Sequence, residues 1–146
     1  MVLGYEKNAL KARLEASEGI RRFPYKDTVG KLTIGVGRNL TDKGLREDEI
    51  YFLLDNDILD SEEDVKSRMP WIIQLDPVRQ AVIIEMCFNM GIQKLMGFSL
   101  TLGYVKRGDY NQASKEMLNS LWAKQVGQRA TELAEMMSTG KVVYRK

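Results

Sequence analysis

The sequence contains no histidine. That excludes Ser-His-Asp and Cys-His catalysis and every His-ligated metal site. There is one cysteine, Cys87. A lone thiol forms no internal disulfide and no all-Cys zinc site, and it fits folding in a reducing compartment. No apolar run reaches the roughly 18 residues that a membrane span needs. The start, Met1 to Lys7, lacks the apolar core of a signal peptide. A large excess of one charge is also missing. The 22 basic and 20 acidic residues leave a net charge of +2. This is too little to imply nucleic-acid binding and suits a weakly anionic target. Acid–base chemistry is left mainly to carboxylates, with Lys, Tyr or the single Cys behind them.

What is present is one domain's worth of chain, 146 residues, 44% hydrophobic and 29% charged. This is ordinary for a soluble globular protein, and long enough to bury a core without disulfides or a metal. Leu3, Leu10 and Leu14 recur near a helical period and predict a helix over about 4–17. The stretch 19–40 differs, with Gly19, Pro24, Gly30, Gly35 and Gly37 among the β-formers Val29, Thr33, Ile34 and Val36. It reads as short antiparallel strands with tight turns, with Thr41 or Asp42 leading into the next helix. A helical pattern returns over about 45–67 and ends at Pro70. The clearest helix follows: Asp76 is a good N-cap, Pro77 suits the first helical position, and Gly91 sits where a terminating glycine belongs. Its residues are apolar on more than one face, so it should be central and buried. Further helices are expected near 98–106, 109–122 and 127–138.

The predicted fold is α+β and mainly α. A β-rich lobe (about 18–44), a linking helix (about 45–67) and a helical lobe (about 70–146, with 1–17 packed on it) form a single domain. A cleft between two such lobes is a favoured ligand site. The eight methionines read as core fillers, and Cys87, in the most apolar helix, as a buried and inert thiol.

Paired carboxylates near the β lobe are the natural candidates for chemistry. Glu18 lies where the first helix gives way to Gly19, and Asp27 follows nine residues later. Thr33 comes six after that, on an expected strand. A helix-end Glu shielded from water stays protonated more easily, whereas a loop Asp ionises readily. Two carboxylates in unlike settings can divide the work of glycoside hydrolysis. By itself such a pair is a weak signal, because 20 acids in this chain are mostly surface charges.

The surrounding residues are more specific. The run from Glu18-Gly19 through Asp27 to Thr33-Ile34-Gly35-Val36-Gly37 resembles the active-site region of phage-type lysozymes, the endolysins of tailed phages. The resemblance continues through Asp76-Pro77-Val78-Arg79, Asn89-Met90-Gly91, Gly97-Phe98, Trp122 and Gln128-Arg129-Ala130. It spans nearly the whole chain and is nearest to the T-even type. It implies a lysozyme-like fold and a cofactor-free, metal-free muramidase that cleaves the β-1,4 bond between N-acetylmuramic acid and N-acetylglucosamine in peptidoglycan. By position, Glu18 would be the general acid, Asp27 would stabilise the oxocarbenium-like state, and Thr33 would hold the attacking water by its hydroxyl. Inversion at the anomeric carbon is implied too. Arg129 falls where the family pairs an arginine with the catalytic Glu, which predicts an Arg129–Glu18 pair. Phe88, Asn39 and Thr101 match substrate-binding positions. The expected life history is a monomer held in the host cytoplasm until a holin permeabilises the membrane, then bacteriolytic action on the wall, with no nucleic acid and no stable membrane insertion involved.

One departure stands out. Close relatives usually carry a histidine after Gly35-Val36-Gly37, paired with an aspartate on the linking helix; here Arg38 stands instead. An Arg38–Asp57 ion pair is expected, without a histidine's switch near neutral pH. Two other classes remain open. A lytic transglycosylase would form an anhydro product, and a binding or virion module would have a dead site. The Asp27–Thr33 pair argues against the first and the intact triad against the second.

Overall fold

The computed structural model describes residues 1–144. The chain divides into two compact units, Met1–Phe52 and Leu53–Lys146. Eight α-helices, one short 3-10 helix and a three-stranded antiparallel sheet are found among the described residues, an α+β and mainly α fold as expected. None of these helices is long and apolar enough to cross a membrane.

The N-terminal unit begins with α1 (Lys7–Glu18). Glu6 caps it, its carboxylate accepting from the Asn8 N–H at 3.0 Å, which satisfies one of the orphan donors of the first turn. Gly19 ends the helix at φ +79°, a region open to glycine at little cost. The sheet has the order β1-β2-β3, formed by Arg21–Lys26, Leu32–Gly35 and Arg38–Asn39. Thr33 sits in the middle strand, opposite Tyr25 on one side and Asn39 on the other. The register between β1 and β2 shifts between Arg21 and Tyr25. Pro24 lies in that interval on an edge strand, where its missing N–H breaks no central ladder.

The next helix, α2, runs Glu47–Arg68 and crosses the boundary between the units. It starts later than Thr41 or Asp42 would suggest, because both side chains are used before it. Thr41 Oγ1 accepts from the Leu32 N–H at 2.8 Å, and Asp42 closes a turn with Asn39. The start is set instead by Glu49, whose carboxylate reaches back to the Arg46 N–H at 2.8 Å. This is the second half of a capping box, in which a glutamate three residues into the helix satisfies the N-cap donor.

The C-terminal unit carries the apolar core. Pro70 opens the 3-10 turn Pro70–Gln74, and α3 then runs Pro77–Met90. As expected, Asp76 caps α3, accepting from the Arg79 N–H at 3.2 Å, and Gly91 terminates it. Val82, Ile83 and Met86 of α3 are wholly buried, and Cys87 nearly so. Each fully buried aliphatic side chain contributes roughly 1.5–3 kcal/mol. The remaining helices are α4 (Ile92–Met96), α5 (Ser99–Lys106), α6 (Tyr110–Leu118), α7 (Leu121–Val126) and α8 (Gln128–Thr139). The stretch expected as one helix over 109–122 is two. Ser120 stops the first and caps the second, its hydroxyl accepting from the Ala123 N–H at 3.1 Å.

Helices α3 and α6 pack on α8, and Arg79 ties the three together. Its guanidinium donates to the Met137 and Ser138 carbonyls at 2.8 and 3.0 Å, and lies 3.7 Å from the centre of the Tyr110 ring. A cation at the end of α8 meets the carbonyls that have no helical partner.

Candidate active site

Three residues of the proposed chemistry lie in the N-terminal unit, each fixed by a different local device. Glu18 is the last residue of α1. It is exposed. One flank of its side chain rests on Gly37, in the turn between β2 and β3. A Cβ built on Gly37 would stand 3.1 Å from Glu18 Cγ, Cδ and Oε2. Gly37 has φ +67°, so both its backbone and its missing side chain serve this approach.

Asp27 follows β1 and organises the turn into β2. Its Oδ1 accepts from the Val29 and Lys31 N–H groups at 2.9 and 2.8 Å. Its own N–H donates to the Lys31 carbonyl at 2.9 Å, and its carbonyl accepts from the Gly30 N–H at 3.0 Å. An aspartate that accepts from backbone two residues on is the usual way to make such a turn. Oδ1 is thereby committed, while Oδ2 has no hydrogen bond among the described residues. The half-buried carboxylate is held rigidly, with one oxygen available.

Thr33 is 4% exposed and is the one buried side chain described in this unit. Its hydroxyl donates to the Lys31 carbonyl at 3.0 Å. With its proton committed there, the oxygen keeps lone pairs that can accept a hydrogen from water. The water-holding role implied by the resemblance therefore takes the form of an acceptor. Lys31 is common to both partners: its N–H binds Asp27 and its C=O binds Thr33.

Asn39 stands beside Thr33 on β3. Its amide is occupied internally: Nδ2 donates to Asp42 at 3.0 Å and Oδ1 accepts from the Asp42 N–H at 3.0 Å. Asp42 also pairs with Lys31 at 3.2 Å. An open depression of about 570 Å³ runs past Ile34, Gly37, Arg38 and Asn39.

Arg38 does not pair with Asp57. Its guanidinium makes a two-pronged contact with Glu49, Nη1 to Oε1 at 2.8 Å and Nη2 to Oε2, and also donates to the Gly44 carbonyl at 3.1 Å. Glu49 is nearer in sequence and already faces the β3–α2 connection through its capping bond. The spacing Arg46-x-x-Glu49 was the available signal. The Arg38 hydrogen bonds, then the Arg46 N–H and the charges of both arginines, outweigh desolvation and pull the Glu49 carboxyl down to about 2.

The other candidates lie in the C-terminal unit. Arg129 pairs with Glu85 on α3, Nε to Oε2 at 2.9 Å. Glu85 sits on a helical face otherwise apolar, and it offers Arg129 a partner the sequence comparison overlooked. Phe88, Glu85 and Arg129 share a depression of about 530 Å³ with Leu54, Ile58, Ala81 and Ile84. Thr101 is 4% exposed on α5, so its side chain presents little surface to a ligand. A further tie went unforeseen: the Trp122 indole N–H donates to Asn89 Oδ1 at 2.7 Å, and Phe98 meets the Trp122 ring edge-on. No group of three or more metal-ligating side chains occurs among the described residues. Burial raises the Cys87 thiol above its ordinary value, with the Asp64 charge adding to the shift, and this disfavours the reactive thiolate.

Comparison with known proteins places the chain in a family. The phage lysozyme sequence model matches residues 15–136, a span that takes in Glu18, Asp27 and Thr33. A probable T4-type lysozyme of Dictyostelium discoideum is 27% identical, over 91% of this chain and 95% of its own. A second such protein from that organism is 24% identical over the same shares. The pre-baseplate central spike protein Gp5 of Enterobacteria phage T4 is 26% identical over 88% of this chain, but the match takes in only 27% of the spike protein. With most of its length matched by the family model, the chain belongs to the phage lysozyme family and is a glycoside hydrolase of the lysozyme type.

Proposed function

We propose that the protein is a muramidase acting on bacterial peptidoglycan, with Glu18 as general acid and Asp27 and Thr33 as the water-positioning pair. The observation that carries this reading is the shared anchor at Lys31. One backbone residue holds Asp27 by its N–H and Thr33 by its C=O, at 2.8 and 3.0 Å. This leaves Asp27 Oδ2 and the Thr33 oxygen as two acceptors on a common frame. A water donating to both would turn a lone pair of its oxygen toward the anomeric carbon. Glu18 would protonate the departing glycosidic oxygen, and the Asp27 charge would oppose the positive charge that develops on the sugar ring. Water attack on the face opposite the leaving group, with the water's proton passing to the Asp27 carboxylate, gives inversion.

Phe88 and Asn39 remain in the proposed substrate-binding set, with Arg129 acting through its pair with Glu85; the Thr101 side chain, buried on α5, is left out. The proposed setting is phage release: cytoplasmic accumulation as a monomer, passage through a holin-permeabilised membrane, then host cell lysis. The match to part of a phage spike protein supports a second setting, a virion-associated lysozyme.

The test is product analysis of purified peptidoglycan digested by the purified protein. Hydrated muropeptides with a reducing muramic acid end support the proposal. Anhydro-muramic ends would make the protein a transglycosylase. Retention on the wall without cleavage would make it a binding module.

A further inference from the structure

The turn against which Glu18 rests is followed at once by Arg38, whose contacts touch none of the reacting groups. Gly37 lies against the Glu18 carboxyl, so close that a Cβ there would stand 3.1 Å from it. Arg38 follows immediately and pairs with Ile34 across the β2–β3 ladder, next to the Thr33–Asn39 pair. A movement of Arg38 therefore reaches both Glu18, through Gly37, and Thr33, through the ladder. Only two residues form β3, so the strand itself offers little resistance to such movement.

The Arg38 side chain supplies the missing restraint. It spans from β3 to the Gly44 carbonyl and to both oxygens of Glu49. Glu49 in turn binds the Arg46 N–H and belongs to the first turn of α2, a helix of 22 residues. The short strand is thus tied at three points to the connection and to a long helix. A planar guanidinium meeting both carboxylate oxygens fixes direction as well as distance, which a single ammonium contact does not.

We propose that Arg38 and Glu49 form a positioning clamp for catalysis, holding the Gly37 turn so that Glu18 and Thr33 keep their reactive placement. Neither residue touches the reacting atoms, and both act through the turn. This inference rests on the muramidase reading above and names the device that keeps its site in register.

The clamp predicts a particular split in kinetics. Loosening it misplaces the catalytic groups and, of the proposed binding residues, reaches Asn39 on the same strand and leaves Phe88 alone, so kcat should suffer more than KM. Misplacement by about 1 Å costs roughly 10²-fold in rate. Glu49→Gln and Arg38→Lys each remove the two-pronged contact while keeping side-chain size, and Arg38→Lys also keeps the charge. The experiment measures kcat and KM on soluble peptidoglycan fragments for wild type, both variants and Glu18→Gln, with hydrogen exchange followed over residues 33–39. The expected result is a tenfold to hundredfold loss of kcat in both variants, a smaller change in KM, and faster exchange over 33–39 with α3 unchanged. Full kcat in either folded variant overturns the clamp, as does unchanged exchange over 33–39. A loss that appears only in KM also overturns it. If one variant fails to fold, the other decides on the same criteria. A wild type without activity would defeat the muramidase reading itself. An active wild type with an inactive Glu18→Gln isolates the clamp as the claim under test.

Discussion

The two units hold their residues in place by opposite means. In the C-terminal unit a continuous set of buried apolar side chains runs from Val65 to Met137. In the N-terminal unit Thr33 is the one buried residue described, and order comes from hydrogen-bonded turns. Apolar packing is insensitive to direction and forgiving of small shifts. Hydrogen bonds are directional and local. The residues proposed for bond cleavage sit in the unit built from directional contacts. The difference teaches that the C-terminal unit should set thermal stability while the N-terminal unit sets rate.

The strongest way to break this comparison is to change charge at the site without changing its turn. Asp27→Asn keeps an acceptor for the Val29 and Lys31 N–H groups but removes the carboxylate charge. Turnover should fall by about 10²–10³-fold, the scale of losing one preorganised electrostatic contact, while the melting temperature moves little. A turnover assay beside a thermal melt checks both halves. The converse experiment is Ile83→Ala, at a side chain with 0% exposure. It should cost about 2–5 kcal/mol in denaturant unfolding, and the folded fraction should turn over at the wild-type rate.

Acid should separate the units by a different route. The folded Glu49 carboxyl lies near 2 against an ordinary 4.5. A depressed carboxylate stabilises the fold above its unfolded value, and the contribution is lost as pH falls from about 4.5 toward 2. Protection of residues 33–39, measured against the intrinsic exchange rate at each pH, should therefore fall across that window, and Glu49→Gln should abolish that fall. Asp76 behaves with the same sign in the other unit. Burial alone would raise its carboxyl, but hydrogen bonds from the Arg79 N–H and guanidinium, with the Arg79 charge, hold it below its usual range. Its replacement by Ala should cost about 1 kcal/mol, the usual loss for an N-cap, measured by chemical denaturation. The smallest effect concerns Cys87, buried in α3. A thiol reagent should leave it unlabelled in the native protein and label it once the C-terminal unit is unfolded.

Much of this division was legible in the sequence. Helix α3 declared itself through Asp76, Pro77 and Gly91, because cap chemistry is local and those residue types have few other reasons to stand in that order. The Glu18, Asp27 and Thr33 spacing was equally visible. What stayed hidden were partners chosen in three dimensions. Arg38 met Glu49 in place of Asp57, and Arg129 met Glu85, a partner within its own unit. A charged side chain takes whichever opposite charge its backbone brings within reach, and spacing inherited from relatives does not fix that choice. The boundary at Ser120 was missed for a related reason. The apolar pattern continues across the break, and only the serine's hydrogen bonds, to the Met117 carbonyl and from the Ala123 N–H, show that the chain turns.

The central claim, that Glu18 supplies the proton for bond cleavage, is tested most directly by comparing turnover of wild type and Glu18→Gln on the same peptidoglycan substrate. Glutamine keeps the shape against Gly37 and removes the acid. The account predicts a loss of at least about 10²-fold, the lower bound for a positioned general acid, with an unchanged circular dichroism spectrum and melting temperature. Turnover within tenfold of wild type in that folded variant would contradict it.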